Sequence, residues 1–188
     1  MIIYLHGFNS APASHKARVL QRHLQERGLG ATYRCPALPP SGREAMALVE
    51  GLLAAATEPV CLIGSSLGGF YATCLAERHG ARAVLLNPAI EPHVGLQAYL
   101  GPQQNLYSAE RYNLTEKHLD EWRSLYQERV TPGRYLLVVE TGDELLDYRK
   151  AVQRYAGAAQ LVIPGGDHSL RSFGDHLPRI VQFARHGD

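Results

Sequence analysis

The stretch CLIGSSLGGFYAT, residues 61 to 73, sets Gly64, Ser65, Ser66, Leu67 and Gly68 directly behind a short apolar run. These five residues fit G-x-S-x-G with Ser66 at the centre, and the spacing has a steric reason. A serine at a sharp strand-to-helix turn takes strained backbone angles, while flanking glycines let strand and helix approach where any Cβ would collide. Its hydroxyl then stands above the strand end. The helix that follows aims its amino terminus at the same point, so the Leu67 N–H can stabilise negative charge on a substrate oxygen. Nucleophilic attack is the chemistry such a serine can do. The same pattern also arises by chance in a glycine-rich chain, or as a phosphate-binding turn after a strand.

A serine is a poor nucleophile near neutral pH unless a base removes its proton, so a histidine and an orienting carboxylate are required on neighbouring loops. VVETGDELLDY puts Asp143 just after one apolar run, and LVIPGGDHSL puts His168, behind Gly165 and Gly166, just after the next. Adjacent parallel strands would bring those two loops side by side, in the chain order Ser, acid, His. Asp147 and Asp167 are the rival acids. Asp147 falls where a helix should already run and is better read as a solvated or dipole-compensating charge. Asp167 adjoins the histidine, and adjacent side chains rarely bend to meet. His118, His176 and His186 lie in helical, charged contexts and read as surface residues. After the first apolar run, YLHGFNSAPASHK offers a second backbone donor, the Phe8 N–H, to pair with Leu67 in an oxyanion hole. His6 reads as a brace for this loop, and Asn9, Ser10, Ser14 and His15 could contact substrate or stitch the loop together, with stitching the favoured reading.

The elements that must position these residues follow from hydrophobic patterning. Six apolar runs lack polar alternation, as strands covered on both faces do: Ile2–Leu5, Ala31–Cys35, Val60–Ile63, Ala83–Leu86, Tyr135–Glu140 and Gln160–Ile163. Helical signals separate them. Ser14 can cap a helix with Ala17, Leu20 and Leu24 on one face, stopped by Gly28 and Gly30. Ser41 and Glu44 form a capping-box pattern ahead of Ala45–Ala56. Helices are also expected from Ser66 to Gly80 and after Phe173, the latter with Leu177, Ile180, Val181 and Ala184 on one face. The alternation predicts a doubly wound α/β fold with strand order 2-1-3-4-5-6, its first and third strands meeting at the switch point where ligands bind. Between Asn87 and Tyr135 no clear strand is visible. The expectation there is a helical, lid-like insertion over about residues 90–130, with Thr115 capping a helix that faces inward through Leu119, Trp122, Leu125 and Tyr126. Tyr99, Leu100, Tyr107, Tyr112 and Trp122 read as the core of that insertion rather than as an acyl pocket.

Composition excludes several classes. The 188 residues suit one domain with one core, and 19 Lys and Arg against 18 Asp and Glu, a net charge of +1, create no field that favours nucleic acid or an anionic membrane. Cys35, Cys61 and Cys74 are odd in number and sit in apolar segments, as buried reduced thiols do. The opening MIIYLHGF shows neither a secretory signal nor a membrane span, so a cytoplasmic protein is expected. No H-E-x-x-H or clustered Cys/His spacing calls for a metal, and no cofactor is implied.

Taken together, IIYLHGFNS with SHKA, LIGSSLGGFYAT, NPA, YLG, TGDELLDYR and GGDHS resemble, over almost the full length, the α/β-hydrolase superfamily and more closely the short bacterial YqiA-like esterases. The resemblance implies a single α/β-hydrolase domain lacking extra amino-terminal antiparallel strands, and a serine esterase acting on a small-molecule ester or acyl thioester. It also implies Ser66 as nucleophile, Asp143 as acid, His168 as base, and Phe8 and Leu67 amides as oxyanion donors. Filled triad positions argue against a non-catalytic binding module on the same scaffold.

Overall fold

Ile2, Ile3, Tyr4 and Leu5 are all buried, which a four-residue strand achieves only when helices cover both faces of its sheet. The computed structural model describes residues 1–187 and places this run as β1 (Ile2–Leu5). Then follow α1 (His15–Gln25), β2 (Tyr33–Arg34), α2 (Gly42–Ala54), β3 (Cys61–Ser65), α3 (Leu67–His79) and β4 (Arg82–Leu86). After these come α4 (Pro92–Gly95), β5 (Gly101–Gln104), β6 (Arg111–Leu114), α5 (Glu116–Leu125), β7 (Tyr135–Glu140), α6 (Tyr148–Arg154), β8 (Ala159–Ile163) and α7 (Phe173–His186).

The main sheet has six strands in the order β2-β1-β3-β4-β7-β8, every pairing parallel. This is the order expected from the six apolar runs. Alternate residues of each strand feed opposite layers. Ile3, Leu5, Leu62, Leu85 and Leu137 pack under α2, α3, α5 and α6, with Met46, Phe70, Trp122 and Ala151. On the other face, Ile2, Tyr4, Ile63, Val84 and Leu136 pack under α1 and α7, with Leu20, Leu24, Leu177 and Ile180. Among the described residues no helix is long and apolar enough to cross a membrane.

Three expectations are corrected. β2 is only Tyr33–Arg34, because Gly30–Thr32 forms a 3-10 turn and Pro36, with no N–H and a restricted neighbour, ends the pairing on the far side. Ser14 stands at the N-cap of α1, but its hydroxyl makes no capping hydrogen bond. The insertion is not purely helical: β5 and β6 form an antiparallel hairpin with Gly101 opposite Leu114 and Gln104 opposite Arg111. Gly-Pro-Gln-Gln has no large apolar side chain, and Arg-Tyr-Asn-Leu alternates polar with apolar over only four residues, too short a stretch for periodicity to identify a strand.

The insertion's other half belongs to the core. Thr115 and His118 form a capping box at the start of α5, and Leu119, Trp122 and Leu125 are buried. Trp122 Nε1 donates to Tyr71 Oη at 2.7 Å. The Glu121 carboxylate accepts from Ser41 Oγ at 2.8 Å and from Arg43 N–H at 3.3 Å, holding the amino terminus of α2.

Candidate active site

The elbow between β3 and α3 is built by close approach. A Cβ on Gly64 would strike the Gly68 backbone, and one on Gly68 would strike the Leu5 carbonyl. Only glycine lets α3 start this close to β1 and β3. Ser66, between them, has φ 54° and ψ −120°, a conformation that costs a non-glycine residue on the order of 1–3 kcal/mol. The surroundings over-determine it: Ser66 N–H donates to the Leu86 carbonyl at 3.0 Å, and the Ser66 carbonyl accepts from Gly69 N–H at 2.9 Å and Ala89 N–H at 3.0 Å.

Asp143 and His168 reach this point from the loops after β7 and β8, which are laced together. Thr141 N–H donates to the Ile163 carbonyl and Gly142 N–H to the Gly165 carbonyl, both at 2.8 Å. The Asp143 carboxylate, 2% exposed, lies 2.8 and 3.0 Å from His168 Nδ1. Its Oδ1 also accepts from Leu145 and Leu146 N–H at 2.9 Å each, so the carboxylate cannot swing away. A carboxylate facing Nδ1 places the proton there, leaving Nε2 as the acceptor. Nε2 lies 3.1 Å from Ser66 Oγ. The three residues singled out from sequence are therefore one hydrogen-bonded chain. The rivals are engaged elsewhere: Asp147 is the N-cap of α6 and binds the Arg149 side chain and N–H, and Asp167 accepts from Ser169 N–H and the Arg171 guanidinium.

The His168 loop has no ladder to hold it, and side chains from other loops take over its backbone groups. Glu140, at the end of β7 and 1% exposed, accepts from the N–H groups of Asp167, Arg171 and Ser172 and from the Ser172 hydroxyl at 2.6–3.1 Å. Asn87 donates to the Asp167 and His168 carbonyls and accepts from Glu140 N–H. Lys16 donates to the Ser169 carbonyl at 2.8 Å, and Glu144 accepts from His168 N–H at 2.9 Å. Periodicity and motif reading passed over these residues. Two signals could have found them: a lone charge ending the apolar run YLLVVE, and the asparagine of NPA at a strand end.

Burial alone would raise the Glu140 pKa, but the Ser172 hydroxyl and N–H, with the Asp167 and Arg171 amides, outweigh it and hold the carboxyl below its usual range. A carboxyl depressed in the folded state contributes stability above the unfolded glutamate pKa of about 4.3, and that stability is lost as pH falls through the lower folded value. Glu140→Gln is expected to cost about 2–3 kcal/mol in urea unfolding at pH 7, because it replaces charge-assisted bonds. The gap to wild type should narrow as pH drops below about 4.3. A gap that stays constant with pH would show that the charge is not what holds the loop.

His6 is buried, accepts from Leu38 N–H at Nε2 and faces the Gly7 carbonyl through Nδ1, each at 3.0 Å. Burial lowers its pKa, with the Gly7 carbonyl partly opposing, so it is a neutral brace, as expected. Phe8 and Leu67 both border the cavity that opens above Ser66. Leu67 N–H, in the first turn of α3, has no intrahelical acceptor, and among the described residues neither amide donates to another protein group. The cavity measures about 760 Å³. Tyr99 and Tyr107 line it instead of filling an insertion core, whereas Trp122 is fully buried. Ser10, Ser14, His15 and Lys16 also line it, so the loop borders the site as well as stitching it. Among the described residues no group of three or more His, Cys, Asp or Glu side chains could hold a metal ion.

A family model described as "Uncharacterised protein family (UPF0227)" matches residues 1–185. UPF0227 proteins of Vibrio cholerae and Pectobacterium atrosepticum are 24% and 25% identical over 186 and 189 residues, covering 97% of this chain and 98% of theirs. Among solved structures, mouse alpha/beta hydrolase domain-containing protein 10 gives a TM-score of 0.72 at 17% identity, over 96% of this chain and 87% of that one. Est1E from Butyrivibrio proteoclasticus gives 0.71 at 15%, over 99% and 87%. A monoacylglycerol lipase of Paleococcus ferrophilus gives 0.69 at 15%, over 100% and 94%. Likeness at these identities concerns the fold, and the fold is that of the α/β hydrolases.

Proposed function

The chain belongs to the UPF0227 family, and from that footing we propose that it is a serine esterase acting on small-molecule carboxylic esters or thioesters. His168 Nε2 takes the Ser66 proton as Oγ attacks the carbonyl carbon. The Phe8 and Leu67 amides hold the oxygen on which charge develops, and Asp143 stabilises the imidazolium. His168 then gives the proton to the leaving oxygen or sulfur. Water, deprotonated by the same ring, hydrolyses the acyl-enzyme and restores Ser66. The chemistry needs no metal or cofactor.

The observation that carries this reading is the unbroken relay from Asp143 through His168 to a strained serine hydroxyl bordering an open cavity. Ester cleavage by a protein of the same fold, the Paleococcus monoacylglycerol lipase, supports it by analogy. The test is labelling with a fluorophosphonate, which needs an activated serine. A single adduct mapping to Ser66 in the folded protein is expected. Folded protein with no adduct would leave a non-catalytic ligand-binding module as the reading to pursue.

A further inference from the structure

The hairpin that periodicity does not reveal touches both halves of the chemistry. Large apolar side chains exposed to water are concentrated at the cavity mouth: Val94, Tyr99, Leu106, Tyr107 and Leu145 all line it, Leu106 with 79% of its surface exposed. Leu106 and Tyr107 stand in the turn between β5 and β6, and Tyr99 just precedes β5. Clustered exposed apolar surface at a cavity mouth marks a place for an apolar ligand.

The same hairpin grips the loop that carries Phe8. Asn9, with φ 51°, has each of its polar side-chain atoms and its carbonyl bound by hairpin residues. Asn9 Nδ2 donates to Gln103 Oε1 at 2.9 Å, Tyr112 Oη donates to Asn9 Oδ1 at 2.7 Å, and Leu106 N–H donates to the Asn9 carbonyl at 2.9 Å. Asn105 Nδ2 adds a bond to the Ser10 carbonyl at 2.8 Å. The Phe8 ring meets Tyr99 edge-on, with centroids 6.2 Å apart. The Phe8 N–H belongs to the Gly7–Phe8 peptide unit, and the chain just beyond it is anchored by Tyr99 against the Phe8 ring and by the hairpin through the Asn9 side chain and carbonyl.

We propose that the β5–β6 hairpin is the acyl-binding wall of the site and, through Asn9, the prop of the Phe8 oxyanion amide, so that a straight-chain apolar acyl group raises turnover as well as affinity. The inference rests on the esterase reading. Burial of an acyl chain against Tyr99, Leu106 and Tyr107 adds to the hold that the hairpin already has on Asn9. Part of that binding energy goes into aligning a donor that matters only when the carbonyl oxygen becomes an oxyanion. Binding energy used in this way appears in kcat rather than KM.

Gln103 and Tyr112 are positioning residues in this scheme, and they separate it from simple apolar binding. The experiment compares p-nitrophenyl acetate, butyrate and octanoate on wild type, Tyr112→Phe, Gln103→Ala and the double variant. Rates are expressed per site titrated with fluorophosphonate, so misfolded protein does not count. In wild type, kcat for octanoate should exceed that for acetate by about 10-fold. In the double variant that ratio should fall to about 2, with KM for octanoate changed by less than about 2-fold. Leu106→Ser, at a side chain that packs little, should cut the octanoate-to-acetate ratio of kcat/KM by about 10-fold through loss of apolar contact. Equal kcat ratios in wild type and double variant, or a loss carried wholly by KM, overturn the coupling while the esterase reading stands. Wild type that hydrolyses the esters without labelling at Ser66 overturns both.

Discussion

On the proposed esterase mechanism, Ser66→Ala is expected to lower kcat on an aryl ester by on the order of a million-fold, because there nucleophile, base and acid act as a unit and removal of the nucleophile removes the unit's whole contribution. The adjacent Ser65 cannot substitute. Ser65 is buried in β3, and Ser66 Oγ is the atom that stands 3.1 Å from His168 Nε2. A residual rate about a thousand-fold above water is expected to survive, since the Phe8 and Leu67 amides and the cavity remain. The fold should be preserved, because Leu86, Gly69 and Ala89 hold the elbow through the Ser66 main chain and not through its side chain. Steady-state assays beside an unfolding curve check both parts. Retention of more than about one per cent of wild-type kcat would mean that another group attacks the carbonyl.

Asp143→Asn should cost about 10⁴-fold in kcat while leaving the loop in place. The amide oxygen of asparagine can still accept from the Leu145 and Leu146 N–H groups, as Asp143 Oδ1 does at 2.9 Å. Its amide nitrogen then faces His168 Nδ1 and, being a donor, requires Nδ1 to become the acceptor. The ring proton moves to Nε2, where it points at Ser66 Oγ and can no longer be exchanged for the hydroxyl proton. The loss is therefore one of tautomer rather than of shape, and melting temperature and KM should change little. Asp147→Asn gives the contrast: that carboxylate is occupied by Arg149 at the start of α6, and kcat should stay within about 3-fold. A large loss at position 147 with a small one at 143 would reverse the assignment of the acid.

These two outcomes depend on features readable from residue order. Six apolar runs without polar alternation imply buried parallel strands, and parallel strands stack their carboxyl-end loops at one rim, so Asp143, His168 and Ser66 are neighbours once the strand order is known. Gly64 and Gly68 mark the elbow because a Cβ at either position collides with backbone, at Gly64 with Gly68 and at Gly68 with Leu5, so both constraints show as glycines within five residues. Asp147 was separable from Asp143 by the same logic, since one lies at a strand end and the other begins a helix.

The sequence alone thus determined the sheet, the elbow and the three residues that meet there, because each is specified by backbone period, steric exclusion or position after a strand. Only the tertiary structure decided what steadies them. Glu140 ends an apolar run like any stray charge until the loop after β8 folds back to present three amides and a hydroxyl to it. Asn9 looks like loop stitching until Gln103 and Tyr112, about a hundred residues away, close on its two side-chain atoms. Those two sit in a hairpin of four-residue strands, too short for their period to stand out, which persist because each finds partners in the other and in the loop beneath. A polar side chain is ambiguous in sequence for this reason: its role is fixed by whichever donor or acceptor the fold delivers to it, and that delivery depends on distances between segments that no local pattern encodes.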